Sequence, residues 1–537
     1  MYFTFLSSLK KRKKIFYFII LLVFSISFNQ YYGYIGIFPI DSFLIFNSGY
    51  DFMNGYFPFK DYYTIRGPLL DVIQALFFKI FGVSWFSYVL HASVVNFIIT
   101  IATFYTLIKF ELNINYCFFY ALLVSILSYP TAGTPFMDHH SAFLSIIALF
   151  SFILALKTKS NFYWFAIPIC LGLAFLSKQI PAGYIFVIVS ILSIIYFSFN
   201  FNIKSFFSGV LGGLIFIFLF VLIMKIGKIS LISFFEQYIL FPQALGKTRL
   251  EFLFPLEFGR IILRFKLMHL SLLLLLVVSI KKIIEDYRYL KNEEFLIIIS
   301  LISSSFALII NELMTVNDKF IFFVIPIFVA FSHIYYEKYF KQKKYILYLL
   351  ILLSISSTLY YQYNYIDGRR FMSLDRVKIQ NAIDAKILDK KLNKLKWVTV
   401  LYPDEPEKEI SKLKEAIKII KNDSRNKIIV TDYQFISVFL STYDYSPNKL
   451  WHESVSYPSI WHSTDIKFQK HFEIYKNFFI SKLNENKIET VYTVKPLYGV
   501  EADDIFKLIL DKNCVKKTVL TNILNRYLIH KCNNLKY

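Results

Sequence analysis

The chain has 537 residues, 56% of them hydrophobic and 18% charged, with a mean hydropathy of +0.50. Soluble domains carry roughly 45–50% apolar residues, and here the excess is concentrated before residue 365, which excludes an ordinary soluble enzyme. The formal charge of +22 would suit nucleic acid, but much of it sits in short loops between apolar runs. Membrane topology accounts for charge placed there, and no nucleic-acid partner is expected.

A hydrocarbon core about 30 Å thick takes roughly 20 apolar residues per helical span. The start, KKRKKIFYFIILLVFSISF, imitates a signal peptide but is followed by no A-x-A-type cleavage site. It is read as a retained first helix over 15–37. After a loop at 38–84, further spans are expected near 85–109, 116–133, 140–156, 162–177, 182–199, 206–226, 258–280, 295–311, 319–336 and 344–363, about eleven in all. Lys10 to Lys14, Lys157 with Lys159, Lys281 with Lys282, and Lys338 to Lys344 then fall on one side, which the positive-inside rule makes cytoplasmic. An odd number of spans puts the tail outside. The segments 38–84, 133–139, 227–257 and Asn317–Lys319 share that outer face.

The expected fold class is an α-helical polytopic membrane protein with a C-terminal mixed α/β soluble domain, divided as 1–365 and 366–537. In the tail, KEISKLKEAIKIIKND has helical periodicity and KIIVTDYQFI reads as a buried strand. ETVYTV, KTVL and RYLIHKC read as further strands, the last two as a hairpin. Cys117 and Cys170 lie in apolar helices and suit packing. Cys514 and Cys532 flank the hairpin, and outside the cytoplasm they are able to pair.

The stretch Pro39 to Leu70, PIDSFLIFNSGYDFMNGYFPFKDYYTIRGPLL, concentrates acids, bases and aromatics between two apolar runs. Such groups are costly at a membrane and point to function. Asp41 is read either as a solvated carboxylate at a helix end or as a general base. Gly67-Pro68 ends the loop and opens a helix, so that Arg66 sits where the helix dipole also favours an anion. Arginine there suits a phosphate, with Lys60 and Asp61 nearby. The bland alternative is that Arg66 and Lys60 reach lipid headgroups.

A second cluster, Asp138-His139-His140, opens a helix on the same face. An acid and two histidines are able to hold a divalent metal, although adjacent histidines diverge on a helix. Alternatively Asp138 caps the helix. Lys178 interrupts an apolar stretch, Asp318-Lys319 opens another helix, and Lys247 and Arg249 lie in 227–257. Each of these suits a phosphate or simple snorkelling.

An Asp at the end of the first helix, then G-x-x-P-x-x-D-Y (Gly55 to Tyr62) and G-P-L (Gly67 to Leu69), resembles the GT-C glycosyltransferases. The nearest groups are the protein mannosyltransferase-like and aminoarabinose transferase-like families, including RgtA/B/C/D-like proteins. The segment G-L-A-F-L-S-K-Q, ending at Lys178-Gln179, is similar to their G-L-A-x-L-x-K helix end. Asp318-Lys319-Phe320 with Ile325-Pro326 resembles a late R-Y-x-x-P element.

The resemblance spans about 10–365. It implies a polyprenyl-phosphate sugar donor, a lipid, glycan or protein acceptor, an active site on the outer face of a bacterial cytoplasmic membrane, and inversion at the anomeric carbon. Carried over by position, Asp41 is the catalytic base and Asp138 the second acid. Lys60, Asp61, Arg66, Lys178, Asp318 and Lys319 are substrate-binding. Ile65 stands where some relatives carry a metal-associated glutamate, so a divalent metal cofactor is left open.

Two rival classes fit the sequence less well. An O-antigen polymerase or ligase would carry its key residues in a large late loop, whereas here the first loop is the richest. A transporter or flippase would place charge at mid-membrane, whereas these charges lie at helix ends.

Overall fold

The computed structural model describes residues 2–253, 257–315, 321–440, 446–452, 456–459, 465–496 and 514–530. The chain forms two compact units. One comprises 1–33, 89–220 and 251–371; the other comprises 34–88, 221–250 and 372–537.

The first unit is helical. Among the described residues of the chain, nine helices are long and apolar enough to cross a membrane. They include Arg12–Gly33, Trp85–Lys109, Met137–Thr158, Gln179–Phe199 and Glu293–Thr315. Two of the eleven expected spans correspond to shorter helices, Asn161–Phe175 and Val324–Tyr339. At 1.5 Å per residue, helices of 15 and 16 residues reach only about 23–24 Å, short of a hydrocarbon core. Phe207, Leu214 and Phe218 lie exposed along Ile203–Ile226. On a membrane helix that apolar exposure is a lipid-facing surface.

Within this unit a turn at 129–133 is held from three sides. The Arg369 guanidinium donates to the carbonyls of Pro130, Thr131 and Ala132 at 2.9, 3.4 and 2.9 Å. Asn29 Nδ2 donates to the Gly133 carbonyl at 3.2 Å. Gly133 has φ of +79°, and a Cβ there would lie 2.7 Å from Gly33 Cα. Only glycine fits both the backbone angle and the contact. The turn fixes where Met137–Thr158 begins.

In the second unit the first loop and the tail share one core. The loop is largely helical: Pro39–Ser42, Leu44–Met53 and Leu69–Phe81. Residues 231–253 form one helical run with a π-helical stretch at Phe235–Leu240. The tail carries a four-stranded sheet. Lys427–Thr431 runs parallel to Thr490–Val494, which pairs antiparallel with Leu524–Ile529, itself hairpinned to Val515–Val519. In register, Ile429 faces Tyr492 and Tyr492 faces Arg526.

The expected helix appears as Pro406–Lys421, with proline in its first turn where no backbone N–H is needed. Tyr63 and Phe241 are buried in the same cluster as Val430, Tyr475, Val491 and Tyr527. Cys514 is disulfide-bonded, and Cys532, its expected partner, lies outside the described residues. Cys117 and Cys170 are free thiols.

Candidate active site

The loop–tail unit builds its polar centre around Arg66. Gln237 clamps the preceding turn: its Nε2 donates to the Phe59 carbonyl at 3.0 Å, and its Oε1 accepts the Thr64 N–H at 3.1 Å. The Arg66 N–H donates to Thr64 Oγ1 at 3.2 Å. Three residues later Leu69–Phe81 begins, with Asp71 in its first turn.

Arg66 is only 4% exposed and Asp71 only 1%. The Asp71 carboxylate accepts from Ser48 Oγ at 2.6 Å and from Tyr62 OH at 2.8 Å. Arg66 Nη1 lies 3.9 Å from Asp71 Oδ1, close enough for charge compensation but too far for a hydrogen bond. Neither Nη1 nor Nη2 makes a hydrogen bond among the described residues. A buried donor left unpaired costs about 1–3 kcal/mol, and guanidinium is a fork shaped for two oxygens of one oxyanion. Such a fork is able to receive an anion.

A second buried pair lies in this unit. Asp51 and Lys449 are in direct contact, and the Lys449 ammonium stands 4.9 Å over the Tyr62 ring. Burial pushes the Asp51 carboxyl up and the Lys449 ammonium down, each opposed by attraction to the other. Burial, then Asp71, holds the Tyr62 phenol well above its ordinary range and so protonated. Glu236 pairs with His471.

The remaining loop residues take different places. The first helix ends at Gly33, and Asp41 lies beyond it in the separate turn Pro39–Ser42, not at the helix end. There Asp41 is half-buried. Asp61 Oδ2 accepts the Phe57 N–H at 2.7 Å, and Lys60 lies 3.8 Å from that carboxylate. Asp61 therefore closes the turn, with Lys60 at its exposed edge.

In the helical unit, Asp138 sits in the first turn of Met137–Thr158 without capping it. It pairs with Lys178, the residue that opens Gln179–Phe199. The Lys178 carbonyl accepts from Ser141 Oγ at 3.1 Å. His140 and His139 diverge. His140 contacts Tyr129 OH through Nδ1 and lies 2.9 Å from His91 through Nε2, whereas His139 stacks on the Tyr129 ring, centroids 5.0 Å apart. Among the described residues no group of three or more His, Cys, Asp and Glu is placed to hold a metal.

Lys157, near the far end of the same helix, borders a cavity of about 480 Å³ lined also by Glu111, Glu293, Glu294, Glu337 and Lys338. Nineteen residues of helix separate it from Asp138, about 28 Å. The Asp138 end and the Lys157 end of this helix are thus well apart. Asp318 and Lys319 lie outside the described residues. Lys247 is exposed on the 231–253 run.

Sequence reading missed Asp71, Ser48, Lys449 and the Glu236–His471 pair. Asp71 carried a signal, an acid just beyond Gly-Pro on the helix that Arg66 precedes. Lys449 carried none.

Residues 66–224 match the profile of the family described as dolichyl-phosphate-mannose-protein mannosyltransferase. The match begins at Arg66 and covers the Asp138 cluster and Lys178. Over that stretch the chain is similar to this lipid-phosphate-sugar-dependent family. A search of curated protein sequences finds no match.

Among solved structures, the chain is similar to the archaeal oligosaccharyltransferase AglB from Archaeoglobus fulgidus in complex with an inhibitory peptide and a dolichol-phosphate. That likeness has 13% identity and a TM-score of 0.45, over 90% of this chain and 70% of that one. It is also similar to ArnT from Cupriavidus metallidurans bound to undecaprenyl phosphate, with 9% identity and a TM-score of 0.42, over 97% of this chain and 99% of that one. At these values neither likeness bears on the chemistry.

Proposed function

We propose that the chain is a membrane glycosyltransferase that moves a sugar from a polyprenyl-phosphate donor to a cell-envelope acceptor, a lipid, glycan or protein, on the outer face of the cytoplasmic membrane. The observation that carries the reading is the Arg66 guanidinium, buried beside Asp71 with both Nη donors unspent. A phosphate monoanion or diester fits that fork and the helix start behind it.

Asp41 takes the proton from the acceptor hydroxyl. The freed oxygen attacks C1 of the sugar in line, the C1–O bond to phosphate breaks, and polyprenyl phosphate leaves with inversion at C1. Arg66 stabilises the charge gathering on the departing phosphate. Asp138 is proposed as the second acid, and Lys60, Asp61 and Lys178 as substrate-binding groups, on their sequence positions. The division into 1–365 and 366–537, with the tail periplasmic, belongs to the same proposal.

The test is transfer of radiolabelled polyprenyl-phosphate sugars to cell-envelope fractions by membranes carrying the protein. Label should reach the acceptor fraction, and unlabelled polyprenyl phosphate should compete. Absence of transfer across a broad donor panel would overturn the reading.

A further inference from the structure

A strap of four tail residues crosses the first loop. The Tyr63 N–H donates to the Pro447 carbonyl at 2.7 Å, and Tyr63 bridges Asn448 in strand fashion. Ser446 Oγ donates to the Asn448 carbonyl at 2.6 Å, and Asn448 Nδ2 donates to Tyr475 OH at 2.7 Å. Tyr475 in turn packs edge-on against Tyr63, centroids 5.0 Å apart. The strap ends by delivering Lys449 onto Asp51 and over the face of Tyr62, whose hydroxyl holds Asp71.

Four formal charges are buried together: Asp51, Asp71, Arg66 and Lys449. Two acids meet two bases, so the cluster closes at zero. Without Lys449 it would carry a net negative charge beside the Arg66 guanidinium, and an unpaired buried carboxylate draws in the nearest cation. Arg66 would then be spent on acids of its own chain, and an incoming anion would meet repulsion.

We propose that Lys449, carried by the tail strap, is a positioning residue that neutralises Asp51 and so keeps the Arg66 guanidinium open for the phosphate of the donor. The proposal rests on the phosphate-transfer reading above and gives the tail a role in donor binding. Lys449 acts through charge balance and does not itself touch the donor.

The experiment measures KM and kcat for a polyprenyl-phosphate sugar with full-length wild type, Lys449→Met, Lys449→Arg and the double variant Lys449→Met/Asp51→Asn. Each is purified in detergent and scored per folded molecule by size exclusion and melting. Lys449→Met should raise the donor KM at least tenfold while kcat moves less than threefold. Lys449→Arg should recover most of the loss. The double variant, neutral at both positions, should bring KM back to within about threefold of wild type.

A Lys449→Met enzyme with wild-type KM would overturn the proposal, and so would a double variant as impaired as Lys449→Met, since lysine would then contact the donor directly. A merely structural lysine would lower the melting temperature and the folded fraction but leave KM per folded molecule unmoved, which also overturns it. Failure of the wild type to turn over any such donor is a different result and overturns the underlying transfer reading.

Discussion

The two units handle buried charge differently. In the helical unit two buried charges are used up by their own chain: Asp138 on Lys178, and Arg369 on three carbonyls of the 129–133 turn. In the loop–tail unit Arg66 is equally buried, but its nearest acid stands 3.9 Å away and its end nitrogens bond nothing described. Burial cost alone would pair every such group. A site that leaves a guanidinium unspent gives up stability that a bound anion returns, whereas closed pairs hold the scaffold.

The largest effect is expected at Asp41. If this half-buried carboxylate is the base, Asp41→Asn should lower kcat about 10³-fold, within the range for losing general-base catalysis, and leave donor KM near wild type. Activity unchanged by this substitution would take the base away from Asp41, and Asp138→Asn would be assayed next. The second effect tests whether the closed pair is scaffold. Asp138→Asn leaves Lys178 without its acid and should cost about 3 kcal/mol of stability, read as a fall in melting temperature. Adding Lys178→Met should restore most of that stability. If activity returns with it, the pair is scaffold only; if activity stays lost although stability is restored, Asp138 or Lys178 also works in binding or chemistry.

A smaller effect sharpens the open side of the comparison. Arg66→Lys keeps the charge but not the fork, and should raise donor KM about 10-fold, the order of one charge-assisted hydrogen bond. Arg66→Met should lose more and should also weaken competition by unlabelled polyprenyl phosphate. Equal KM for Arg66→Lys and wild type would mean that charge, not bidentate geometry, is what the site uses.

Much of this was legible from local sequence. The apolar runs gave the helices, because a span needs a length of apolar residues and little else. Two runs, 162–177 and 319–336, gave only 15- and 16-residue helices, since apolar composition does not say where a helix starts. Arg66 and its turn were legible because glycine, proline and arginine act within a few positions. The Asp51–Lys449 pair was not, because 398 residues separate its members and nothing marks that lysine among the others of the tail. The divergence of His139 and His140 was legible, since adjacent side chains on a helix point apart, but not their partners, the Tyr129 ring for one and Tyr129 OH with His91 for the other.

The smallest effect lies in the tail, far in sequence from any proposed chemistry, and is a pH dependence. Glu409 is buried on Pro406–Lys421 and accepts from Trp397 Nε1 at 2.9 Å, Thr399 Oγ1 at 2.9 Å and Tyr433 OH at 2.5 Å. Burial raises its carboxyl above the ordinary 4.5, and these three hydrogen bonds only partly offset the shift. The folded chain therefore binds this proton more tightly than the unfolded chain. Where the two states differ, the unfolded state carries fewer protons, so stability falls as pH rises from about 4.5 through the folded value. Glu409→Gln removes the charge and should flatten that slope. Because Tyr433 and Thr399 hydroxyls are free to rotate, the amide should keep most of the bonds and cost under about 1 kcal/mol at acid pH. Melting of the full chain in detergent, followed by tryptophan fluorescence from pH 4.5 to 7, would show the wild-type slope and its loss in Glu409→Gln. Parallel slopes in the two proteins would mean that Glu409 stays ionised throughout, with its three donors outweighing burial, and that the tail closes its charges as fully as the helical unit does.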